Sequence, residues 1–211
     1  MAAAAGSQSI LGQYLALFSS TEIFIFVFME IAVKIDTIQR VIFRKANLRD
    51  YAGFTLLFGL FSIFGTYIGI TENTGAIVNI RDLAPMVAGL VAGPWVGLAV
   101  GLIGGIHRFF LGGVSCVPCS LATVLAGVLG GAVYVLNKER LLGIIPSMIF
   151  AAGIELLHGG LALLLIQPYS LAVEIVATAI PQMVIANSLG MGIAIIIVHD
   201  LVHHYGDAHT A

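Results

Sequence analysis

The feature that most constrains this chain is a set of long, nearly uncharged apolar runs. Residues 51–70 carry no charge at all, and residues 144–166 carry only Glu155 besides the histidine His158. Each is about 20 residues long, which at 1.5 Å per helical residue matches a hydrocarbon core of about 30 Å. Backbone polar groups in lipid must be satisfied within the segment, so runs of this length are read as transmembrane helices. Composition agrees: 59% of the 211 residues are hydrophobic and 9% charged, against about 25% charged in a soluble domain. An all-α, polytopic membrane helix bundle of about six to seven helices is expected, with membrane lipid as its solvent.

Along the chain, the first helix is expected at 8–33, continuing as a charged extension through Lys34, Asp36, Arg40, Arg44 and Lys45 to Arg49. A second helix spans 51–70, followed by a polar loop at 71–82 and an apolar stretch at 83–110. Further spans are expected at 119–136, 144–166 and 180–199. This divides the chain into residues 1–50, a membrane unit at 51–200 and a short tail at 201–211. No internal repeat is evident. Residues 1–9 lack the basic start and cleavage signal of a secretory leader, so the first span is expected to be retained. The net charge is −2 with scattered basic residues, which argues against nucleic acid as a partner.

The stretch 83–110 admits two readings. Glycines recur at 89, 93, 97, 101 and 105, and Gly93-Pro94 lies near the middle. Proline favours a first helical turn and disfavours helix in the residue before it, which predicts a hairpin broken at Gly93-Pro94. Membrane helices also tolerate proline, so a straight span stays open. Positive-inside counting leans to the hairpin. It places the five basic residues at 34–49 together with Lys138 and Arg140 in the cytoplasm, seven of the nine in the chain. The N-terminus is then outside and the C-terminus cytoplasmic.

The two basic residues left over, Arg81 and Arg108, flank the hairpin on its outward side. A guanidinium at membrane depth costs roughly 2.5–3.5 kcal/mol on insertion scales, less near the interface. Two forked donors at the ends of one hairpin suit a small carboxylate, which arginine holds by paired charge-assisted hydrogen bonds. The bland alternative is internal neutralisation by Asp82, Glu72 or Glu174.

Other polar residues carry weaker signals. Cys116 and Cys119 have redox-like spacing without a supporting αβ context. Cys119 is read as a pocket-lining thiol, as packing, or as part of a disulfide. Glu155 and His158 share a helical face and must point into the bundle, as a relay, a pocket floor or a structural pair. With the cysteines they do not make a recognised nucleophile and base set. Gln182 and Asn187 enter the last helix from the outer side, most simply for interhelical hydrogen bonding, with Asn187 a further candidate for the pocket floor. His199 and His203 have metal-site spacing, but a solvated helix end with His204 explains them more simply. No metal and no cofactor is expected.

The segments LLFGLFSIFGTYIGI (56–70), NIRDLAPMVAGLVAGPWVGLAVGLIGGIHRFFLGG (79–113), CSLATVLAGVLGGAVY (119–134) and IPQMVIANSLG (180–190) resemble the LytS-type five-transmembrane receptor domain of bacterial sensor histidine kinases. That family is similar in fold to the substrate-capturing subunits of energy-coupling-factor transporters, which implies an outward pocket and supports the hairpin. The resemblance implies a small-carboxylate ligand such as pyruvate, bound by Arg81, Arg108 and Cys119, with Asn79 and His107 from the same motifs. Where such members can present a serine one turn after the cysteine, this chain has Ala122; Ser120 and Thr123 offer hydroxyls nearby. It further implies a homodimer that signals to a cytoplasmic kinase or other output module. About a dozen residues follow position 199, too few for a kinase, so output is expected through a partner or a continuing chain. The alternative function is a solute-binding transport subunit or small permease for an organic acid.

Overall fold

The structure, a computed structural model, describes residues 18–72 and 74–208. It contains eight helices and one two-stranded hairpin among them: α1 (residues 18–32), α2 (Asp36–Ile42), α3 (Leu48–Tyr67), β1 (Ile70–Thr71), β2 (Ile77–Val78), α4 (Leu83–Ala92), α5 (Pro94–Phe110), α6 (Cys116–Leu136), α7 (Ile144–Leu165) and α8 (Tyr169–Ala208). The all-α polytopic bundle holds. Helices α6, α7 and α8 are each long and apolar enough to cross a membrane, and α4 and α5 are shorter apolar helices.

The first expected helix is divided. Residues 8–17 lie outside the described residues, and the charged extension is not a continuation of α1 but the separate short helix α2. The chain then turns through Arg44, whose φ is +57°, and α3 restarts at a capping box. Asn47 Oδ1 accepts from the backbone N–H of Arg49 (2.9 Å) and Asp50 (3.1 Å), while Asp50 Oδ2 accepts from the Asn47 N–H (3.0 Å). This reciprocal satisfaction of orphan donors moves the helix start to Leu48. Arg40 clamps the same carboxylate with Nε and Nη2 at 2.9 and 2.7 Å. The last helix is longer than expected, 40 residues with Pro181 inside it, because a membrane helix carries proline where its neighbours re-satisfy the backbone. The polar loop holds the antiparallel β1–β2 pair, Ile70 opposite Val78.

The break at Gly93-Pro94 is real: Gly93 sits at φ +89°, a left-handed value only glycine adopts freely, and Pro94 opens α5. Of the ten residues of α4, nine are buried, so the hairpin's first arm forms the axis of the molecule. The glycine stripe explains how. At Gly97 and Gly127, on α5 and α6, any added Cβ would strike the other glycine's backbone, so the two helices touch main chain to main chain. On the other side of α4, rings of α1 and α3 interleave: Phe28 stacks on Phe61 with centroids 4.1 Å apart.

Contacts sort the loops into two ends. Arg44 pairs with Glu139 at 2.7 Å and lies over the Tyr134 ring. A Cβ on Gly93 would touch that same ring, and His199 Nε2 meets the Leu142 carbonyl at 3.1 Å. The hairpin bend, the α2–α3 turn, the α6–α7 turn and the C-terminal part of α8 therefore share one end. The β1–β2 loop and the α5–α6 turn share the other.

Candidate functional site

At that second end lies a buried polar cluster drawn from four segments. Arg81 precedes α4 and is fully buried. Its Nε donates to Thr123 Oγ1 at 2.6 Å and lies 3.3 Å from Asp82 Oδ1; Nη2 reaches the Cys119 carbonyl at 3.5 Å. Thr123 shares its one proton between Asp82 Oδ1 (2.6 Å) and the carbonyl of Cys119 one turn earlier (2.8 Å). The backbone around Arg81 is pinned as well. Its N–H donates to Asn79 Oδ1 (3.0 Å), and its carbonyl accepts from Ser62 Oγ (3.0 Å). The internal pairing with Asp82 thus exists for Arg81.

Arg108 differs. At the end of α5 it donates through Nη1 to the Gly112 carbonyl (2.6 Å) and through Nη2 to Ser115 Oγ (3.0 Å). Among the described residues no carboxylate lies within ion-pair distance of it. Each guanidinium also keeps one buried nitrogen without a hydrogen-bond partner, Nη1 of Arg81 and Nε of Arg108. Arg81 reaches the Cys119 carbonyl and Arg108 reaches Ser115, and Cys119 and Ser115 line one cavity.

From α7, His158 completes the cluster. Nε2 meets Cys119 Sγ at 3.2 Å, while Nδ1 lies 3.2 Å from Asp82 Oδ2 and 3.4 Å from Glu155 Oε2, aligned with neither. Both oxygens of Glu155 are buried without a hydrogen-bond partner. The packing of α7 on α6 brings Cys119 and His158 within hydrogen-bond distance although they lie 39 residues apart. One ligand atom each from Asp82, Glu155 and His158 lie within 4.8 Å of one another, a spacing a metal ion can use, and one that sequence spacing did not reveal. A cavity of about 20 Å³ is lined by Cys119, His158 and Ser115 together with apolar residues of α7, α8 and the β2 region. That is room for one water.

The remaining expected residues serve the frame. Asn79 is buried and holds its own loop, donating to Ile77 O at 2.6 Å. Asn187 ties α8 to that loop, donating to Asn79 O (3.2 Å). His107 is half-buried with Nε2 on the Tyr67 hydroxyl (3.1 Å). Ser120 turns back to the Cys116 carbonyl (2.7 Å). Gln182 donates to Glu72 Oε1 in the polar loop (3.1 Å) and to the Thr178 carbonyl of its own helix (2.8 Å), so it ties α8 to a loop and not to another helix. Cys116 and Cys119 are both free thiols. Asp82, expected only as an internal partner of the arginines, also meets Thr123 and His158; nothing local in the sequence announces Ser115 or Gly112 as partners of Arg108.

A buried, receptor-like cluster on this scaffold invites comparison with known proteins. The family model described as 5TMR of 5TMR-LYT matches residues 35–201. The chain belongs to the 5TMR-LYT family. Relatives of this 5TMR-LYT chain include the sensor protein LytS of Bacillus subtilis (strain 168), 32% identical over 183 residues, covering 76% of this chain and 31% of that protein. The sensor histidine kinase BtsS of Escherichia coli (strain K12) is 30% identical over 140 residues, 64% of this chain and 25% of BtsS. The sensor histidine kinase YpdA of the same organism is 35% identical over 102 residues, 47% of this chain and 18% of YpdA. The 5TMR-LYT chain thus spans less than a third of the length of these relatives. No solved structure matches it. It is a multi-pass membrane receptor domain.

Proposed function

We propose that this domain binds a small carboxylate such as pyruvate at its outward end and passes the resulting helix rearrangement to a cytoplasmic kinase or other output module. The observation that carries the reading is Arg108: a guanidinium 1% exposed, held among the described residues by two neutral acceptors and no carboxylate, with Nε unpartnered. Burying a charge without a counter-charge is expensive, and an anionic ligand is the economical remedy. Arg81 Nη1 supplies a second open donor nearby. The relatives' names, sensor histidine kinase and sensor protein, favour signalling over transport.

The cavity of about 20 Å³ holds a water but not a three-carbon acid, so binding requires the surrounding segments to part. A ligand biases two arrangements only by its difference in affinity between them, and a site closed when empty provides that difference. Asn187 connects the Arg81 loop to α8, whose 40 residues run about 60 Å, beyond a bilayer of about 40–45 Å with headgroups. Movement at the loop therefore has a rigid route to the other end. On positive-inside grounds that other end, with Arg44, Lys138 and Arg140, is cytoplasmic, and a homodimer is the expected assembly.

Calorimetry on detergent-solubilised protein with pyruvate, lactate and other short carboxylates tests the reading. Saturable binding is expected to at least one acid. If none binds, or if Arg108→Ala binds as well as the parent, the arginines are structural and the receptor reading is wrong. Orientation is tested by a thiol placed at Gly113, which should react with an impermeant reagent from the outer face alone.

A further inference from the structure

Asp82 precedes α4, and Glu155 and His158 lie one turn apart on α7; packing brings all three into the interior of the bundle. His158 Nδ1 is 3.2 Å from Asp82 Oδ2 and 3.4 Å from Glu155 Oε2. Among the described residues none of these three atoms has a hydrogen-bond partner, and neither has Glu155 Oε1. Arg81 and Thr123 do not relieve them. Both sit on the other oxygen of Asp82, Oδ1, at 3.3 and 2.6 Å, and leave Oδ2 turned to the imidazole. Buried polar atoms that converge without bonding to one another carry a desolvation cost, and an ion between them removes it.

The spacing and the surroundings both fit such an ion. Zinc bonds of about 2.0–2.1 Å to oxygen and nitrogen set tetrahedral donor–donor edges of about 3.3–3.4 Å. Two edges here are 3.2 and 3.4 Å, and one donor atom from each residue lies within 4.8 Å of the others. A ligating imidazole commonly fixes its tautomer by donating from its second nitrogen. His158 Nε2 has an acceptor for that proton, the Cys119 sulfur at 3.2 Å, which leaves the Nδ1 lone pair to the ion. Thr123 orients the Asp82 carboxylate in the same way.

We propose that Asp82, Glu155 and His158 form a buried site for a borderline first-row divalent cation, zinc before the others, with its fourth position open to water. Two carboxylates and one imidazole are neither the shell of six to eight oxygens that calcium takes nor the water-rich octahedron of magnesium. The ion ties α7 to the segment that carries Arg81 and offsets the Glu155 carboxylate, which has no lysine or arginine within ion-pair distance among the described residues. The site stands apart from the carboxylate reading above, whose donors are the open nitrogens of Arg81 and Arg108.

The test is the metal content of the full chain, purified in detergent through a histidine-free tag and read by inductively coupled plasma mass spectrometry. About one zinc per chain is expected, lost in Glu155→Gln and in His158→Gln. His203→Ala combined with His204→Ala should keep it; loss there assigns the metal to the tail and overturns the site. Thr123→Val removes no ligand but frees the Asp82 carboxylate, and should weaken zinc binding by roughly 10–100-fold. Cobalt exchanged into the parent gives a reading that needs no variant to fold. Strong visible absorption of four-coordinate cobalt is expected without a sulfur-to-cobalt band in the near ultraviolet. A parent chain that carries no metal and gives no such spectrum, or metal retained in both Glu155→Gln and His158→Gln, overturns the site, and a sulfur-to-cobalt band overturns the donor set.

Discussion

The two ends of the α4–α5 hairpin each bury one arginine, and they solve the problem differently. At the α4 end, Arg81 has an anionic neighbour, Asp82, and a hydroxyl that links the two; at the α5 end, Arg108 has, among the described residues, a carbonyl and a serine. The first is a pair whose charges offset each other with or without a ligand. The second is a buried cation with no carboxylate within ion-pair distance among the described residues. A buried arginine in a membrane domain is therefore not by itself a binding residue: what decides is whether its neighbours already neutralise it.

That contrast can be broken most easily through stability. Arg81→Ala leaves Asp82 without its cation and should destabilise the ligand-free domain by about 3–5 kcal/mol, whereas Arg108→Ala, losing hydrogen bonds to neutral acceptors, should cost about 1–3 kcal/mol; thermal unfolding in detergent ranks the two, and equal losses would erase the distinction. Affinity should invert the order of interest. Arg108→Ala is expected to weaken carboxylate binding by roughly 10–150-fold, and Arg108→Lys should not restore it, because an ammonium lacks the planar fork. A double-mutant cycle sharpens the Arg81 side. Arg81→Ala combined with Asp82→Ala should be more stable than the sum of the single losses by roughly 1–3 kcal/mol, while Arg108→Ala with Asp82→Ala should be closer to additive. The smallest effect is expected at Ser115→Ala, about 1 kcal/mol or less in affinity, since it removes one acceptor that fixes Arg108 and leaves the charge in place.

The legibility of this molecule in its sequence follows the range of the interactions. The apolar runs, the bend at Gly93-Pro94 and the two residual arginines were readable because hydropathy, proline's missing N–H and charge placement act within short windows. The start of α3 at Leu48 was also written locally, in Asn47 and Asp50, but the run of charges before it masked the boundary. The extent of α8 was not readable, because Pro181 looks like an end when neighbours are unknown.

The sequence by itself determined a membrane bundle and which cations need explaining, and it leaned to the hairpin that the structure shows. Only the tertiary structure decided the partner each buried group meets: Asp82 with Thr123, 41 residues away, and Cys119 with His158, 39 residues away. The physical reason is that α6 and α7 are apolar nearly all round, so lipid and protein interior are equally good solvents for most of their surface and no hydropathy pattern fixes which face turns inward. That rotation is set by close packing, above all where the glycines of α5 and α6 let two backbones touch.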